Sequence, residues 1–206
     1  MGPEEATDVI PRTSLPDELL ALAVRQANVL SRAQVMGFGV SPRVIERLLR
    51  DDVLRPIARG VYSTGPTQWL QHAWAGVLLG GGSAVLGLSS AAFVQRLTSI
   101  QPPQVDVFVG THGRVDRDPR WRFIRSDRLG SGEPPRTRPA QTVVDLSAEL
   151  DPDGVAALVA TAVGQLRVSP RAIQQVLEGR ARHARRQLLR RVLADVAAGA
   201  ESALEV

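Results

Sequence analysis

Apolar positions change period several times along this chain, and each change marks an element. Leu19, Leu20, Leu22 and Ala23 recur at helical spacing and predict a helix opened by Ser14, with Asp17 three positions later, that runs to about Asn28. Ser31-Arg32-Ala33-Gln34 then reads as a second helix start, with Ser31 as the cap and Gln34 reaching back to it. After a glycine-bearing turn, Ser41-Pro42 opens a third helix. There Val44, Ile45, Leu48 and Leu49 can face a core, which leaves Arg43, Arg47 and Arg50 on the other side. Leu54 to Ile57 and Gly60 to Ser63 are short strand-like runs joined through Ala58 and Arg59. Two capped helices with a tight turn, followed by a hairpin, spell a winged helix-turn-helix over residues 14–65. Residues 1–13 lack periodicity and are expected to be a loose tail.

The break at Gly65-Pro66 suggests a domain boundary or hinge, with a second, α+β domain over 66–198. Thr67 to Leu79 predicts an apolar helix ended by Gly80-Gly81-Gly82, and Ser89 or Ser90 is expected to cap a short helix running through Leu97. Val105 to Val109 and Trp121 to Arg125 alternate like strands and predict a small sheet, joined by an exposed charged loop from Thr111 to Arg120. A helix is expected from Gln141, and three more over Gly154 to Arg167, Ser169 to Glu178 and Ala181 to Ala198. The predicted fold class is therefore α+β, an N-terminal winged helix followed by a mixed domain with a small sheet and C-terminal helices. Residues 199–206 read as the stub of a truncated further segment, because an acidic helix start falls at the very end.

Composition narrows the function. With 206 residues and 44% hydrophobic content the chain can bury a core. Its longest apolar run, Ala73 to Leu88, is interrupted by glycines, and its acidic first residues do not resemble a secretory signal, so a cytoplasmic location is expected. There is no cysteine, hence no disulfide or thiolate chemistry. All 25 basic residues other than histidine are arginine, whose planar fork binds phosphate or guanine bidentately. They are unevenly placed. From residue 25 to 59, Arg25, Arg32, Arg43, Arg47, Arg50, Arg55 and Arg59 stand against Glu46, Asp51 and Asp52. From 180 to 191, Arg180, Arg182, Arg185, Arg186, Arg190 and Arg191 meet no acid, which suits polyanion contact as well as a solvated helix face.

No catalytic constellation assembles. His72, His112 and His183 lie in separate segments without metal-ligand spacing. Ser89 and Ser90 lack a nucleophile elbow, since Ala91 stands where its second glycine belongs. The triple glycine has no Gly-Lys-Ser/Thr continuation, so it is no phosphate loop. Asp145 is expected to accept a hydrogen bond from a neighbour, with Arg138 as the plausible partner. The chain thus predicts no enzyme, no metal and no cofactor. The candidate DNA-contacting residues are Arg32, Ser41, Arg43, Arg47, Arg50, Arg55 and Arg59: the helix arginines for the major groove, Ser41 at a helix N-terminus beside a phosphate, and Arg55 and Arg59 from the wing.

With these segments in view, the chain resembles the AbiEi-like antitoxins of type IV toxin–antitoxin systems, and related proteins with a winged-helix front half that continue into a Vsr-like nuclease-fold domain. The resemblance rests on Ser31-Arg32-Ala33-Gln34 with Gly37 and Gly39, the wing ending Arg59-Gly60-Val61-Tyr62, the Ala84-Val85-Leu86 and Ser90-Ala91-Ala92 segments, Pro139 to Leu146, and Glu201-Ser202-Ala203-Leu204-Glu205. The chain departs from the family pattern at Gln141-Thr142, where relatives usually carry Arg-Thr, and at Gly87-Leu88, where many carry Ser-His. The resemblance implies a winged helix that binds double-stranded operator DNA and represses its own operon, and a C-terminal domain that opposes a nucleotidyltransferase-like toxin. It also leaves two alternatives. The chain could be the non-catalytic front of a nuclease-fold protein, or a protein-binding module whose arginine-rich 181–193 helix docks an acidic surface.

Overall fold

A computed structural model describes residues 14–111, 118–165 and 168–202 and divides the chain into two compact units, the first ending at Leu79 and the second starting at Gly80. The division falls later than the Gly65-Pro66 break. The tail at 1–13, residues 112–117 of the charged loop with His112, and the last residues of the stub lie outside the described residues.

The first unit begins with α1 (Asp17–Arg25), which packs Leu19 and Ala23 inward. Ser14 does not cap it. Pro16 occupies the N-cap without a side-chain hydrogen bond, and the helix stops before Asn28 because Ala27 and Asn28 take positive φ, +52° and +67°. That left-handed turn feeds β1 (Val29–Ser31), a strand too short to show an alternating pattern, with Val29 and Leu30 both fully buried. Next come α2 (Arg32–Gly37) and α3 (Pro42–Arg50), then β2 (Arg55–Ala58) and β3 (Val61–Ser63). The strands form one antiparallel sheet in the order β1-β3-β2, with Val29 opposite Ser63 and Arg55 opposite the same residue from the other side. A bulge between Pro56 and Ala58 breaks the register of the wing hairpin. Leu15, Leu19, Ala23, Leu30, Val35, Val40, Ile45, Leu48, Leu54 and Tyr62 make the core, so each helix and the hairpin contribute to it. Helix α4 (Trp69–Gly80) ends this unit, and its Gln71 amide donates to the Ala27 carbonyl at 3.0 Å.

The second unit holds a five-stranded mixed sheet in the order β6-β5-β4-β8-β7, built from β4 (Val85–Leu86), β5 (Val105–Val109), β6 (Trp121–Arg125), β7 (Gly130–Ser131) and β8 (Arg136–Thr137). The β5–β6 and β4–β8 pairs are parallel, and β4–β5 and β7–β8 antiparallel. Three of the strands are two residues long, too short to carry an alternating pattern in the sequence. Although β5 alternates in sequence, all five of its residues are buried, Asp106 included. Helix α5 (Leu88–Val94) lies against β5; α6 (Pro139–Ser147) packs on α5, α7 (Pro152–Gly164) and α8 (Pro170–Glu178), and α9 (Arg186–Ser202) closes on α7 and α8.

Helix starts differ from expectation where a tertiary partner competes for the capping group. Neither Ser89 nor Ser90 caps α5. Gly87 is its N-cap, while the Ser89 hydroxyl donates to Asp106 Oδ2 at 3.1 Å and the Ser90 hydroxyl accepts from the Asp106 amide at 2.8 Å. Helix α6 opens at Pro139, two residues before the expected Gln141, and α7 at Pro152 behind the Asp151 cap. Ser169 caps α8 as its sequence suggests, with Oγ accepting from Ala172 N at 3.2 Å.

Candidate nucleic-acid interface

The face proposed by the sequence depends on how firmly α2, α3 and the wing are set. Ser31 and Gln34 form a complete capping box: Gln34 N–H donates to Ser31 Oγ at 3.2 Å and Ser31 N–H to Gln34 Oε1 at 2.8 Å. The same Gln34 amide donates to Gln26 Oε1 at 2.8 Å, and Gln26, buried to 7% exposure, donates to the Val29 carbonyl at 2.8 Å. Gln26 therefore ties the end of α1 to the start of α2. Sequence reasoning missed it, because one polar residue after a helix looks like a solvated one.

Helix α3 follows with Ser41 as N-cap, its Oγ accepting from Val44 N at 3.4 Å, and Pro42 in the first turn. Ile45 and Leu48 are fully buried, and Val44 and Leu49 pack at the edge of the same core. Arg43, Arg47 and Arg50, spaced i, i+4 and i+7, thus share a stripe on the opposite side. Arg43 and Arg50 are exposed; Arg47 is half-buried, and its Nε is enclosed without a hydrogen-bond partner. No acid pairs with these three among the described residues, although Glu46 shares the helix.

Arg32 lies against Gly60 of the wing turn that carries Arg59. The Arg32 amide donates to the Gly60 carbonyl at 2.8 Å, its guanidinium reaches Tyr62 Oη at 3.4 Å, and Arg59, next to Gly60, is exposed. Gly60 has φ +77°, a conformation glycine adopts without strain. Arg55 stands apart. It lies at the foot of the wing, where Nε and Nη2 grip the Asp52 carboxylate at 2.9 and 2.6 Å. That grip raises the Arg55 pKa and lowers that of Asp52, in both cases chiefly through the hydrogen bond. The Ser41 hydroxyl is likewise occupied, by its own helix.

In the second unit, Asp145 accepts from Arg128 and Arg180, and from Gln141 Nε2 at 2.9 Å, rather than from the expected Arg138. Arg138 is the exposed N-cap residue of α6, about two turns away along the same helix. Burial lowers the Arg180 pKa most, and the like charge of Arg128 adds to it, against the attraction of Asp145. Asp106, also buried, is held by Arg122 Nε at 2.6 Å, a bond that raises the arginine's pKa. His183 serves packing: its Nδ1 accepts from Arg185 N at 3.2 Å, so Nε2 carries the proton and donates to the Val144 carbonyl at 2.8 Å. Among the described residues no three histidine or acidic side chains gather as a metal site, and no helix is long and apolar enough to cross a membrane.

Residues 17–64, from the start of α1 past the end of the wing, match the family described as transcriptional regulator, AbiEi antitoxin. The front of the chain resembles the AbiEi antitoxins. That family match spans the sheet β1-β3-β2, both helices of the helix-turn-helix and every candidate arginine from Arg32 to Arg59. The AbiEi description names regulation and antitoxicity, not catalysis. The fold is also similar to the crystal structure of the RV2827C protein from Mycobacterium tuberculosis, with TM-score 0.53 and 16% identity over 88% of this chain and 78% of that one. At that identity the likeness speaks for the fold alone. No curated protein matches the sequence.

Proposed function

We propose that this chain is a DNA-binding autorepressor and the antitoxin of a type IV toxin–antitoxin system, countering a nucleotidyltransferase-like toxin. The observation that carries the reading is the Arg43, Arg47 and Arg50 stripe, free of acidic partners among the described residues, on a helix fixed by the Ser41 cap inside the AbiEi-like unit. Guanidiniums at that spacing along one helix face can enter the major groove together. Arg32 and Arg59 at the wing turn add backbone contacts from a second element. Arg55 contributes little in this reading, since Asp52 already offsets its charge.

The test is fluorescence anisotropy on a duplex taken from the DNA upstream of the chain's own reading frame, against a shuffled duplex. The winged helix alone neutralises about four to six phosphates in this reading, so log affinity falls with log salt at a slope of at least roughly −4 to −5. R43A/R50A removes two exposed side chains, so thermal stability is kept while preference for the upstream duplex is lost. Equal binding of both duplexes by the unaltered protein, or a salt-independent signal, overturns the reading. The antitoxin half is tested separately, by searching the reading frames beside this gene for a nucleotidyltransferase and co-expressing it with the chain. Growth rescue supports it, and toxicity undiminished by the chain refutes it.

A further inference from the structure

We propose that the second unit carries a phosphate-contact surface of its own, in which Arg171 on α8 and Arg190 on α9 line one groove, Arg191 extends it on α9, and Arg182 and Arg185 extend it along the turn that precedes α9. The partner is the backbone of duplex DNA, so the inference rests on the DNA-binding reading above and adds a second contact region to it.

The sequence offers six arginines from 180 to 191 as one undifferentiated basic run; the structure sorts them. Two are committed to the fold. Arg180 binds the buried Asp145, and Arg186 donates to the Leu177 carbonyl at 3.1 Å and to the Arg180 carbonyl, closing the C-terminal end of α8. The other four have no such work. Arg182, Arg190 and Arg191 are exposed and Arg185 half-buried, and none pairs with an acid among the described residues.

Arg171, exposed on α8 and absent from that run, lines a groove of about 680 Å³ together with Arg190. Gln174 and Gln175 also line it, and the one acid in its lining, Glu178, accepts from Gln174 Nε2 at 2.8 Å. Arginine and glutamine are the side chains that hold phosphate and sugar oxygens without reading bases. Like-charged guanidiniums gathered with so little acid between them repel one another when unliganded, and a polyanion relieves that repulsion while releasing its counterions. Apolar Leu193 and Ala194 also line the groove, so an acidic peptide is the competing occupant. The spread of arginines beyond the groove, to Arg182 and Arg191, favours the longer anion.

The full chain carrying R171A/R182A/R190A/R191A is compared with wild type by anisotropy on the upstream and shuffled duplexes, across salt from about 50 to 300 mM. The expected result is a salt slope shallower by roughly 2 to 4, with affinity reduced on the order of tenfold or more and by the same factor on both duplexes. The matching four-lysine variant restores most of the slope, because the contact is one of charge; a merely structural role for the guanidiniums would leave it impaired. Slope and affinity equal to wild type in the alanine variant overturn the inference. So does an unchanged DNA slope accompanied by lost binding of a glutamate-rich amphipathic peptide. Failure of R43A/R50A to abolish duplex preference strikes the winged-helix reading instead, and leaves this slope measurement to stand by itself.

Discussion

Arg55 and Asp52, three residues apart where α3 gives way to the wing, form a two-bond ion pair at 2.6 and 2.9 Å on the surface. It divides the wing's arginines into one whose charge is offset and one, Arg59, that is exposed with no acidic partner among the described residues. R55A should therefore weaken duplex binding by no more than about threefold, near the small energy of an exposed ion pair. R59A should cost more and flatten the salt slope by about 1. D52N, which frees Arg55, should strengthen binding and steepen the slope. Anisotropy across salt checks all three.

The same pair gives a pH prediction. Asp52 has a folded-state pKa below its ordinary 3.8, mainly through the Arg55 hydrogen bond. A depressed carboxyl contributes stability that is present above the ordinary value and lost as pH falls through the depressed one. In R55A the Asp52 titration, followed by carboxyl NMR, should move up toward 3.8. A midpoint that stays depressed in R55A would show the guanidinium is not the cause.

Gly60 is a backbone requirement rather than a steric one. A Cβ there would meet Arg32 Cβ at 3.8 Å, an ordinary contact, yet φ is +77°. G60A should cost about 1 to 2 kcal/mol in urea melts of the first unit, from the left-handed conformation alone. G60N should cost less, since asparagine tolerates this region better than alanine. Equal losses in the two variants would point to packing instead.

At Gly87 the reason is space. A Cβ would run into the Phe108 ring, and the Gly87 amide already donates to the Asp106 carbonyl at 3.0 Å, so the backbone cannot easily retreat. G87S should destabilise the second unit by about 1 to 3 kcal/mol. F108L should recover part of that loss in the double variant, and additive losses in a double-mutant cycle would contradict the contact.

Asp145 holds three stretches of the second unit together: α6, which carries it, the loop with Arg128, and the turn with Arg180 after α8. Arg128 also lies over the Phe108 ring at 5.5 Å. D145N leaves two guanidiniums facing each other without their carboxylate, and should cost about 3 kcal/mol in urea melts. R128A should cost less, since Arg180 and Gln141 still satisfy the acid.

The sequence by itself determined what is settled within a few residues. The Ser31–Gln34 capping box, the Ser41-Pro42 and Ser169-Pro170 helix starts and the inward face of α3 were legible because each depends on hydrogen bonds or periodicity inside one turn. The AbiEi resemblance was legible for the same reason, since residues 17–64 concentrate those local signals. Only the tertiary structure decided that Val29–Ser31 and the two-residue β4, β7 and β8 are strands, since they are so solely by virtue of their neighbours. It also decided which arginines are committed. Arg180 and Arg190 look alike in the chain, but one lies beside a buried carboxylate 35 positions away and the other faces a groove. Charge is written in the sequence; its neutralisation depends on distances across the fold, which local pattern does not encode.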